Sequence, residues 1–253
     1  MGKGMKTLIR QFLLAALIVG CGRMVAAQTA DDLVEKHLAA VGGRAALAKV
    51  TSRSTTGTIT LMTPNGALSG SIEILNQQPN KSRTLIKVDL SSLGAGQLTR
   101  EQRFDGTTGY VLDNVQGNRD ITGNQLENLK NSFFPSPFLG YKERGVTVEL
   151  AGKDKVNGRD AYVLLYKPKS GSIVRQFIDA ETYLSLRIVV KVDTPETGEI
   201  EQTTDLSDHR EVDGIKIPFT LNVSSAIQRF TIAVTKVEDN IKLDDAVFAR
   251  PDK

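Results

Sequence analysis

The chain has 253 residues, of which 40% are hydrophobic and 24% are charged, a balance that supports the core of one folded domain. An expected export signal, residues 1–27, carries four of the 32 basic side chains and none of the 29 acidic ones, so its removal leaves 28 basic against 29 acidic side chains. Without a basic excess or a basic motif, the chain is not expected to bind nucleic acid. Cys21 is the only cysteine, which excludes a disulfide within the folded part.

The first 27 residues contain the parts of a bacterial export signal. Three basic residues precede the uncharged apolar run FLLAALIV, and Val25 with Ala27 forms the small-x-small pattern at which signal peptidase cleaves. The run is too short to cross about 30 Å of hydrocarbon as a helix. We therefore expect cleavage after Ala27 and a mature chain, residues 28–253, in the periplasm.

A second way of processing the N-terminus stays open, because residues 18–21 resemble a lipobox. In a lipobox the cysteine, here Cys21, is acylated and becomes the new N-terminus. Acylation would leave the protein anchored in the envelope as a lipoprotein, whereas cleavage after Ala27 would release it.

The mature chain begins with two predicted helices. Thr29 is a suitable N-cap, acidic residues occupy the first turn, and Val34, Leu38 and Val41 recur at helical spacing until a Gly-Gly pair ends the pattern. A second short helical turn, RAALAKV, follows. The apolar side of the first helix should therefore pack against the rest of the chain.

From Ser52 onward the hydrophobic period changes to two. The runs TGTITLM and ALSGSIEIL flank TPNG, a turn typical of a hairpin, and later alternating runs are separated by short NG, SG and DG connections. Such short connections join antiparallel neighbours. We predict a single domain, residues 28–253, that is mainly β with helical cover (α+β): a curved antiparallel half-barrel of about 11 strands closed by N-terminal and mid-chain helices.

One mid-chain segment, TGNQLENLKNSFFPSPF at residues 122–138, interrupts the strands. Its first part has helical spacing, and its second part places three phenylalanines around two prolines, which predicts a helix followed by an aromatic loop. This segment and the first helix should cover the sheet, either as a fixed plug or as a lid over a cavity. The candidate lid residues are Val34, Leu38, Val41, Leu126, Leu129, Phe133, Phe134 and Phe138.

The apolar face of the sheet is clearest in LSLRIVVKV, residues 184–192, where every second residue is apolar and Val189 is the exception. We predict that this face points inward and that other strands continue it. The predicted lining of an apolar cavity is Ile72, Ile74, Leu186, Ile188, Val190, Phe219, Leu221, Phe230 and Ile232. A curved sheet of this many strands can enclose more volume than its side chains fill. The face therefore either packs solidly or holds an apolar ligand.

The residues that could support catalysis or bind a metal are few. His37 is expected on the surface of the first helix, and His209 lies near Asp205, Asp208 and Glu211. Neither histidine has a partner at the spacing of a metal site, and a solvated strand edge accounts for the charges around His209. No GxSxG motif, phosphate-binding loop or EF-hand loop occurs. We expect no enzyme activity, no cofactor and no metal site.

Several segments follow one another along the chain in a specific order and at a specific spacing: the first helix with its Gly-Gly end, FDGTTGY, GRDAYVLLYKP, FIDAETYLSLRIVV, REVDGIKIPFTL and the closing VTKVEDNIKLDDAVFARP. In this order they resemble the periplasmic outer-membrane lipoprotein carriers, the LolA-like superfamily. The resemblance implies an open half-barrel of antiparallel strands closed by helices. In the founding carrier, the apolar cavity of this half-barrel shelters lipoprotein acyl chains.

The alternating strands and the resemblance together lead to one expected function. The protein would be a monomeric carrier or binding protein of the envelope that holds an acyl chain, a lipid or a lipoprotein between the curved sheet and the helices. The alternative is an envelope interaction or sensor module with a solidly packed half-barrel, which would contact other envelope proteins through an edge strand or a loop.

Overall fold

The described chain forms one antiparallel sheet of 13 strands with three short α-helices. The computed structural model describes residues 28–64, 66–194 and 198–251, so the predictions for the export signal, Cys21 and Ala27 concern residues outside the described part. In that part, no helix has both the length and the apolar character needed to cross a membrane.

The helices are α1 (Ala30–Ala40), α2 (Arg44–Ala48) and α3 (Gly123–Lys130). The strands are β1 (Ser52–Thr63), β2 (Gly66–Gln77), β3 (Lys81–Asp89), β4 (Gln97–Phe104), β5 (Gly109–Asp113), β6 (Arg119–Ile121), β7 (Thr147–Val156), β8 (Arg159–Lys167), β9 (Val174–Asp179), β10 (Ser185–Thr194), β11 (Gly198–Val212), β12 (Ile215–Ser225) and β13 (Arg229–Asp239).

The strand order is β6-β5-β4-β3-β2-β1-β13-β12-β11-β10-β9-β8-β7. Strands β1 to β6 form one meander, β7 to β13 form a second, and the two meanders join where β1 pairs with β13. The edge strands β6 and β7 follow each other in the chain but lie at opposite edges of the sheet. The connection between them, residues 122–146, therefore has to pass from one edge to the other.

Both meanders contribute to one apolar cluster on a single face of the sheet, which we call the concave face. The cluster includes Ile72 of β2, Val88 of β3, Val148 of β7, Leu164 of β8 and Ile232 of β13. The prediction of a mainly β, antiparallel fold is confirmed. The sheet has 13 strands, whereas the sequence predicted about 11. The predicted number is too low partly because the three residues of β6 are too few to show an alternating pattern.

Helix α1 begins where the sequence predicts. The Thr29 side chain accepts a hydrogen bond from the Asp32 backbone N–H (3.1 Å), and the Asp32 carboxylate accepts one from the Thr29 backbone N–H (3.2 Å). This reciprocal pair is a capping box, and it satisfies backbone donors that the first turn cannot pair by itself.

The end of α1 is fixed against the turn between β11 and β12. The Lys216 backbone N–H donates to the Val41 carbonyl oxygen at 2.9 Å. Gly42 has φ +132°, and a Cβ at this position would lie 2.4 Å from the Gly214 carbonyl oxygen. Only glycine allows this close approach, which holds the helix against the sheet.

His37 lies inside the molecule, so its predicted position on the helix surface is wrong. The residue is 6% exposed, its Nδ1 lies 2.9 Å from the Tyr183 carbonyl oxygen, and burial lowers the pKa of the imidazole. Spacing places His37 on the apolar stripe of α1, between Val34 and Leu38, but the Tyr183 carbonyl oxygen that pairs with its ring is distant in the chain and gives no local signal.

Leu186 does not share a face with Ile188 and Val190. The pairing of β9 with β10 shifts register between Ser185 and Arg187, which inserts one extra residue at this point. A bulge of this kind reverses the side-chain alternation. Leu186 therefore joins a separate apolar cluster on the other face, with Val156, Ala161, Phe177 and Val189. Val189, the apparent exception, is buried because ordinary alternation points it to this second cluster.

Two phenylalanines of the connecting segment differ sharply in burial and provide a test of the core. Phe138 is 0% exposed, whereas Phe133 is partly exposed and lies beneath the Arg144 guanidinium, whose Cζ is 3.7 Å from the ring centroid. Phe138→Ala should lower the free energy of unfolding by about 3–5 kcal/mol, because it leaves a cavity in packed surroundings. Phe133→Ala should cost about 1 kcal/mol or less. Urea unfolding measures both, and equal losses would contradict this assignment of the core.

Candidate functional site

The segment that connects β6 to β7 crosses the concave side and is fastened to both meanders. On one side, the Asn128 side-chain amide donates to Ser172 Oγ at 3.1 Å, and the Asn131 amide donates to the Ser170 carbonyl oxygen at 2.8 Å. On the other side, the Asn80 amide of the first meander donates to the Lys130 carbonyl oxygen at 3.2 Å. No residue of α3 is buried. Polar contacts at its C-terminal half, rather than a buried apolar face, therefore hold this helix in place.

The part of the concave face near α1 and α2 is filled by the protein itself. Phe138 packs edge-on against three rings, with centroid distances of 5.5 Å to His37, 6.5 Å to Tyr141 and 6.1 Å to Tyr166. Leu38 of α1 belongs to the same cluster and is 1% exposed. Such close packing leaves no room for a ligand within this aromatic cluster.

A first cavity opens toward the opposite end of the sheet, and we call it the rim cavity. Its volume is about 280 Å³. Aliphatic side chains from β1, β3 and β4, together with the ring of Phe230 from β13, form most of its wall. The lining residues are Ile59, Leu61, Ile86, Leu98, Arg100, Asp113, Val115, Gln116, Gln228 and Phe230.

The rim cavity contains one charged pair. Arg100 and Asp113 are cross-strand partners on β4 and β5, with 3.7 Å between Arg100 Nη1 and Asp113 Oδ2. The Asp113 carboxylate also accepts the backbone N–H groups of Val115 and Gln116, both at 2.9 Å. The Asp113 side chain is 3% exposed and that of Arg100 is 36% exposed. The accessible member of the pair is thus the guanidinium, a cation beside an aliphatic wall.

A second cavity lies between the C-terminal half of α3 and strands β9 and β10, and we call it the helix cavity. Its volume is about 270 Å³. The floor is aliphatic, and the roof consists of amide and hydroxyl side chains from α3 and the loop after it. The lining residues are Asn128, Asn131, Ser132, Pro137, Tyr166, Pro168, Ser172, Val174, Gln176, Ile188, Val190 and Val192.

One polar atom in the helix cavity has no partner. Tyr166 is 4% exposed, and its hydroxyl is buried without a hydrogen bond. A buried hydroxyl without a partner costs roughly 1–3 kcal/mol, so a ligand oxygen that accepts its proton would gain correspondingly.

The structure divides the predicted lining residues into four groups. Phe230 lines the rim cavity, and Ile188 with Val190 lines the helix cavity. Leu186 lies on the other face. Five belong to the packed cluster on the concave face or lie against it: Ile72, Ile74, Phe219, Leu221 and Ile232.

The predicted lid residues also differ in what they do. Val34, Leu38 and Phe138 are at most 1% exposed and are part of the core, while Val41 and Phe134 pack against it. The remaining three lie in or directly after α3 and are only partly buried: Leu126, Leu129 and Phe133. The α3 region thus differs from α1, which is an integral part of the fold.

Sequence analysis missed several lining residues, and the reasons differ. Ile59 and Leu61 lie in the alternating run TGTITLM, and Leu61 is the cross-strand partner of Phe230, so pairing β1 with β13 would have found them. Arg100, Asp113 and Tyr166 carry no such signal, because nothing in the local sequence shows that these polar groups face an apolar wall.

The second histidine, His209, is half-buried, and burial lowers the pKa of its imidazole. Two of its three acidic neighbours in sequence form ion pairs with arginines: Asp205 with Arg187 at 2.5 Å and Asp208 with Arg210 at 2.6 Å. Within the described residues, no group of three or more metal-ligating side chains is arranged around a common point.

No protein-family model and no curated protein sequence matches the chain. Three solved structures are similar to it at a TM-score of 0.55 each. A DUF1329 family protein from Desulfovibrio piger is 15% identical, with 87% of this chain and 97% of that chain covered. A LolA superfamily protein from Nitrosomonas europaea is 13% identical, with 88% and 98% covered. A domain named for outer-membrane lipoprotein sorting, from Vibrio parahaemolyticus, is 12% identical, with 87% and 97% covered.

These similarities extend over most of each chain. At such low identity they establish architecture and not activity. The chain has the LolA-like fold.

Proposed function

We propose that the protein is a non-enzymatic binding protein or carrier of the bacterial envelope that holds a single slender acyl chain on its concave face. The observation that carries this proposal is the incomplete filling of that face: two aliphatic cavities of about 280 and 270 Å³ remain beside a closely packed core. The expected export signal supports an envelope location, where lipids with such chains are the obvious apolar ligands.

Cavity size limits the ligand. Each volume lies just below the range of about 300–1,000 Å³ that is usual for small-molecule sites. Each methylene removed from water contributes about 0.8 kcal/mol, so one chain binds with ample driving force. A lipoprotein with several acyl chains would need more room than either cavity provides. The fold resembles that of lipoprotein-sorting proteins, but the cavities favour a ligand with one chain.

Release of the ligand requires a step that costs free energy, because a membrane offers an acyl chain the same hydrophobic gain as the cavity. The contacts of Asn128 and Asn131 with the β8–β9 loop roof the helix cavity and are polar. Polar contacts exchange with water at a small net cost, typically about 1 kcal/mol each. Opening of α3 at these contacts, with α1 remaining in place, is the proposed release step.

Blocking variants test whether the cavities hold the ligand. Val190→Trp in the helix cavity and Leu61→Trp in the rim cavity would fill space that an acyl chain needs. The variant that blocks the occupied cavity should lower the affinity for a fluorescent fatty acid by at least about tenfold, since several methylenes lose their place. The matched controls are Lys191→Trp and Thr58→Trp, which change exposed residues on the opposite face. Unchanged affinity in both blocking variants would refute the cavity assignment.

The Tyr166 hydroxyl predicts a preference for ligands with an oxygen acceptor. Tyr166→Phe should weaken fatty-acid binding by about tenfold, equivalent to about 1.4 kcal/mol, and should leave binding of the pure hydrocarbon dye diphenylhexatriene unchanged. The unfolding free energy should stay the same or rise, because an unpaired polar atom is removed. If the two probes lose affinity equally, Tyr166 acts through packing and not through its hydroxyl.

A reversible tether tests the opening of α3. The side chains of Asn128 and Ser172 are in contact (3.1 Å), so cysteines are introduced at both positions in a Cys21→Ser background, and loss of free thiol on oxidation verifies that the disulfide has formed. Oxidation should slow transfer of a bound fluorescent fatty acid to acceptor vesicles by at least about tenfold, and a reductant should restore the rate. The single Asn128→Cys variant is the control. Equal rates in the oxidised and reduced double variant would show that α3 does not gate release.

A further inference from the structure

Four loops meet at the end of the sheet that lies opposite α1 and α2, and we call them the open rim. Each loop joins two neighbouring strands, and the strand registers place all four loops at the same end of the sheet. For example, Met62 near the end of β1 pairs with Arg229 at the start of β13, and Val88 near the end of β3 pairs with Leu98 near the start of β4. The loops are formed by residues 63–64 and 66–67 where β1 is followed by β2, 90–96 between β3 and β4, 114–118 between β5 and β6, and 225–228 between β12 and β13.

Exposed apolar side chains concentrate at this end. In the described chain, the large apolar residues with roughly half or more of their surface exposed are Met62 (60%), Leu93 (48%), Val115 (64%), Ile173 (50%) and Ile227 (51%). Four of them lie in or directly beside the open rim, and Ile173 lies at the same end in the β8–β9 loop. Single exposed apolar residues are ordinary, but a group at one end of a molecule indicates an interaction surface.

The loops of the open rim are also uncharged. Their sequences, TPNGA, LSSLGAG, NVQGN and SAIQ, contain no Asp, Glu, Lys or Arg, although 24% of the whole chain is charged. Turns at the other end of the sheet are charged, for example NGRD at residues 157–160 and DAETY at 179–183. The four loops of the open rim therefore differ in charge from these turns and also from the β8–β9 loop at their own end of the sheet, which contains Lys169.

The open rim adjoins the rim cavity. Val115 and Gln116 of one loop and Gln228 of another line this cavity, together with Leu61 and Phe230 from the adjacent strand ends. A surface pressed against the rim would therefore meet the mouth of the cavity.

We propose that the open rim docks on a lipid bilayer, with Leu93, Val115, Ile227 and Met62 inserted into the interfacial region. Insertion of these side chains is favourable because it removes apolar area from water. The four loops themselves contain no charged side chain that insertion would bury in the membrane, where Lys, Arg or Asp is costly, and the nearby Arg229 lies at the start of β13, outside the loops. Docking does not require a bound ligand, because three of the four inserting side chains lie outside the cavities. It would therefore persist if the protein bound no acyl chain.

Ile173 marks the boundary of the docking surface. It lies beside a groove that is also lined by Arg175, Lys191, Glu199 and Glu201. Insertion at this point would strip water from several charged groups. Ile173 is as exposed as Ile227, but its neighbours are charged side chains. It is therefore a matched control for the effect of removing an exposed apolar side chain.

Flotation with phosphatidylcholine vesicles tests the proposal. The wild-type chain should float with these uncharged vesicles, and the bound fraction should not fall between low salt and about 0.5 M salt, because screening acts on charges and not on apolar contacts. The triple variant Leu93→Ser, Val115→Ser and Ile227→Ser should bind at least about tenfold more weakly. Ile173→Ser should bind like the wild type. All proteins are made in a Cys21→Ser background, so no acyl anchor contributes to flotation, and unchanged urea unfolding confirms that the variants fold.

A polarity-sensitive fluorophore identifies the end that touches the membrane. In a Cys21→Ser background, the label is placed at Leu93→Cys in the open rim or at Thr107→Cys in the exposed turn at the other end. Vesicles should shift the emission of the rim label to shorter wavelength and leave the Thr107 label unchanged. Any one of four outcomes would overturn the proposal. These are absence of wild-type flotation, loss of binding in high salt, equal effects of the triple variant and Ile173→Ser, and an emission shift of the Thr107 label. The first of these outcomes would indicate a protein partner for the rim.

Discussion

Phe138 packs edge-on against His37, Tyr141 and Tyr166, and this aromatic cluster determines how much of the concave face the protein fills by itself. The cluster joins α1 to the crossing segment and to β8, so one end of the sheet has a dry, closely packed core. Toward the other end, the sheet continues without an equivalent cover. The two cavities exist because three short helices cannot cover a sheet of 13 strands.

The topology explains why the cover is only partial. Because β6 and β7 lie at opposite edges, the chain must cross the concave side once, and it does so with a short helix that buries none of its residues. The N-terminal helix belongs to the core instead, where Val34 and Leu38 are almost completely buried. The two helical regions therefore have separate roles: α1 stabilises the fold, and α3 covers space that a ligand can occupy.

Local sequence patterns predicted those parts of the fold that depend on neighbouring residues. The capping box at Thr29, the hairpin at TPNG and the alternation of Ile188 with Val190 follow from backbone geometry over a few residues, and all three occur in the structure. The misplaced residues depend on distant partners. The bulge that reverses Leu186 is set by pairing with β9, and the burial of His37 is set by Tyr183, which lies 146 residues away in the chain. Likewise, Arg100 and Tyr166 became recognisable as cavity residues only after the curvature of the sheet was known.

The central claim is that the concave face is incompletely filled and accepts a single acyl chain. Native mass spectrometry of the protein titrated with a long-chain fatty acid tests this claim most directly. The titration should give a saturable adduct of one fatty acid per protein chain, and no comparable adduct with a triacylated lipopeptide. A protein that stays free of fatty acid throughout the titration would contradict the account, because its concave face would then be closed to even one slender hydrocarbon chain.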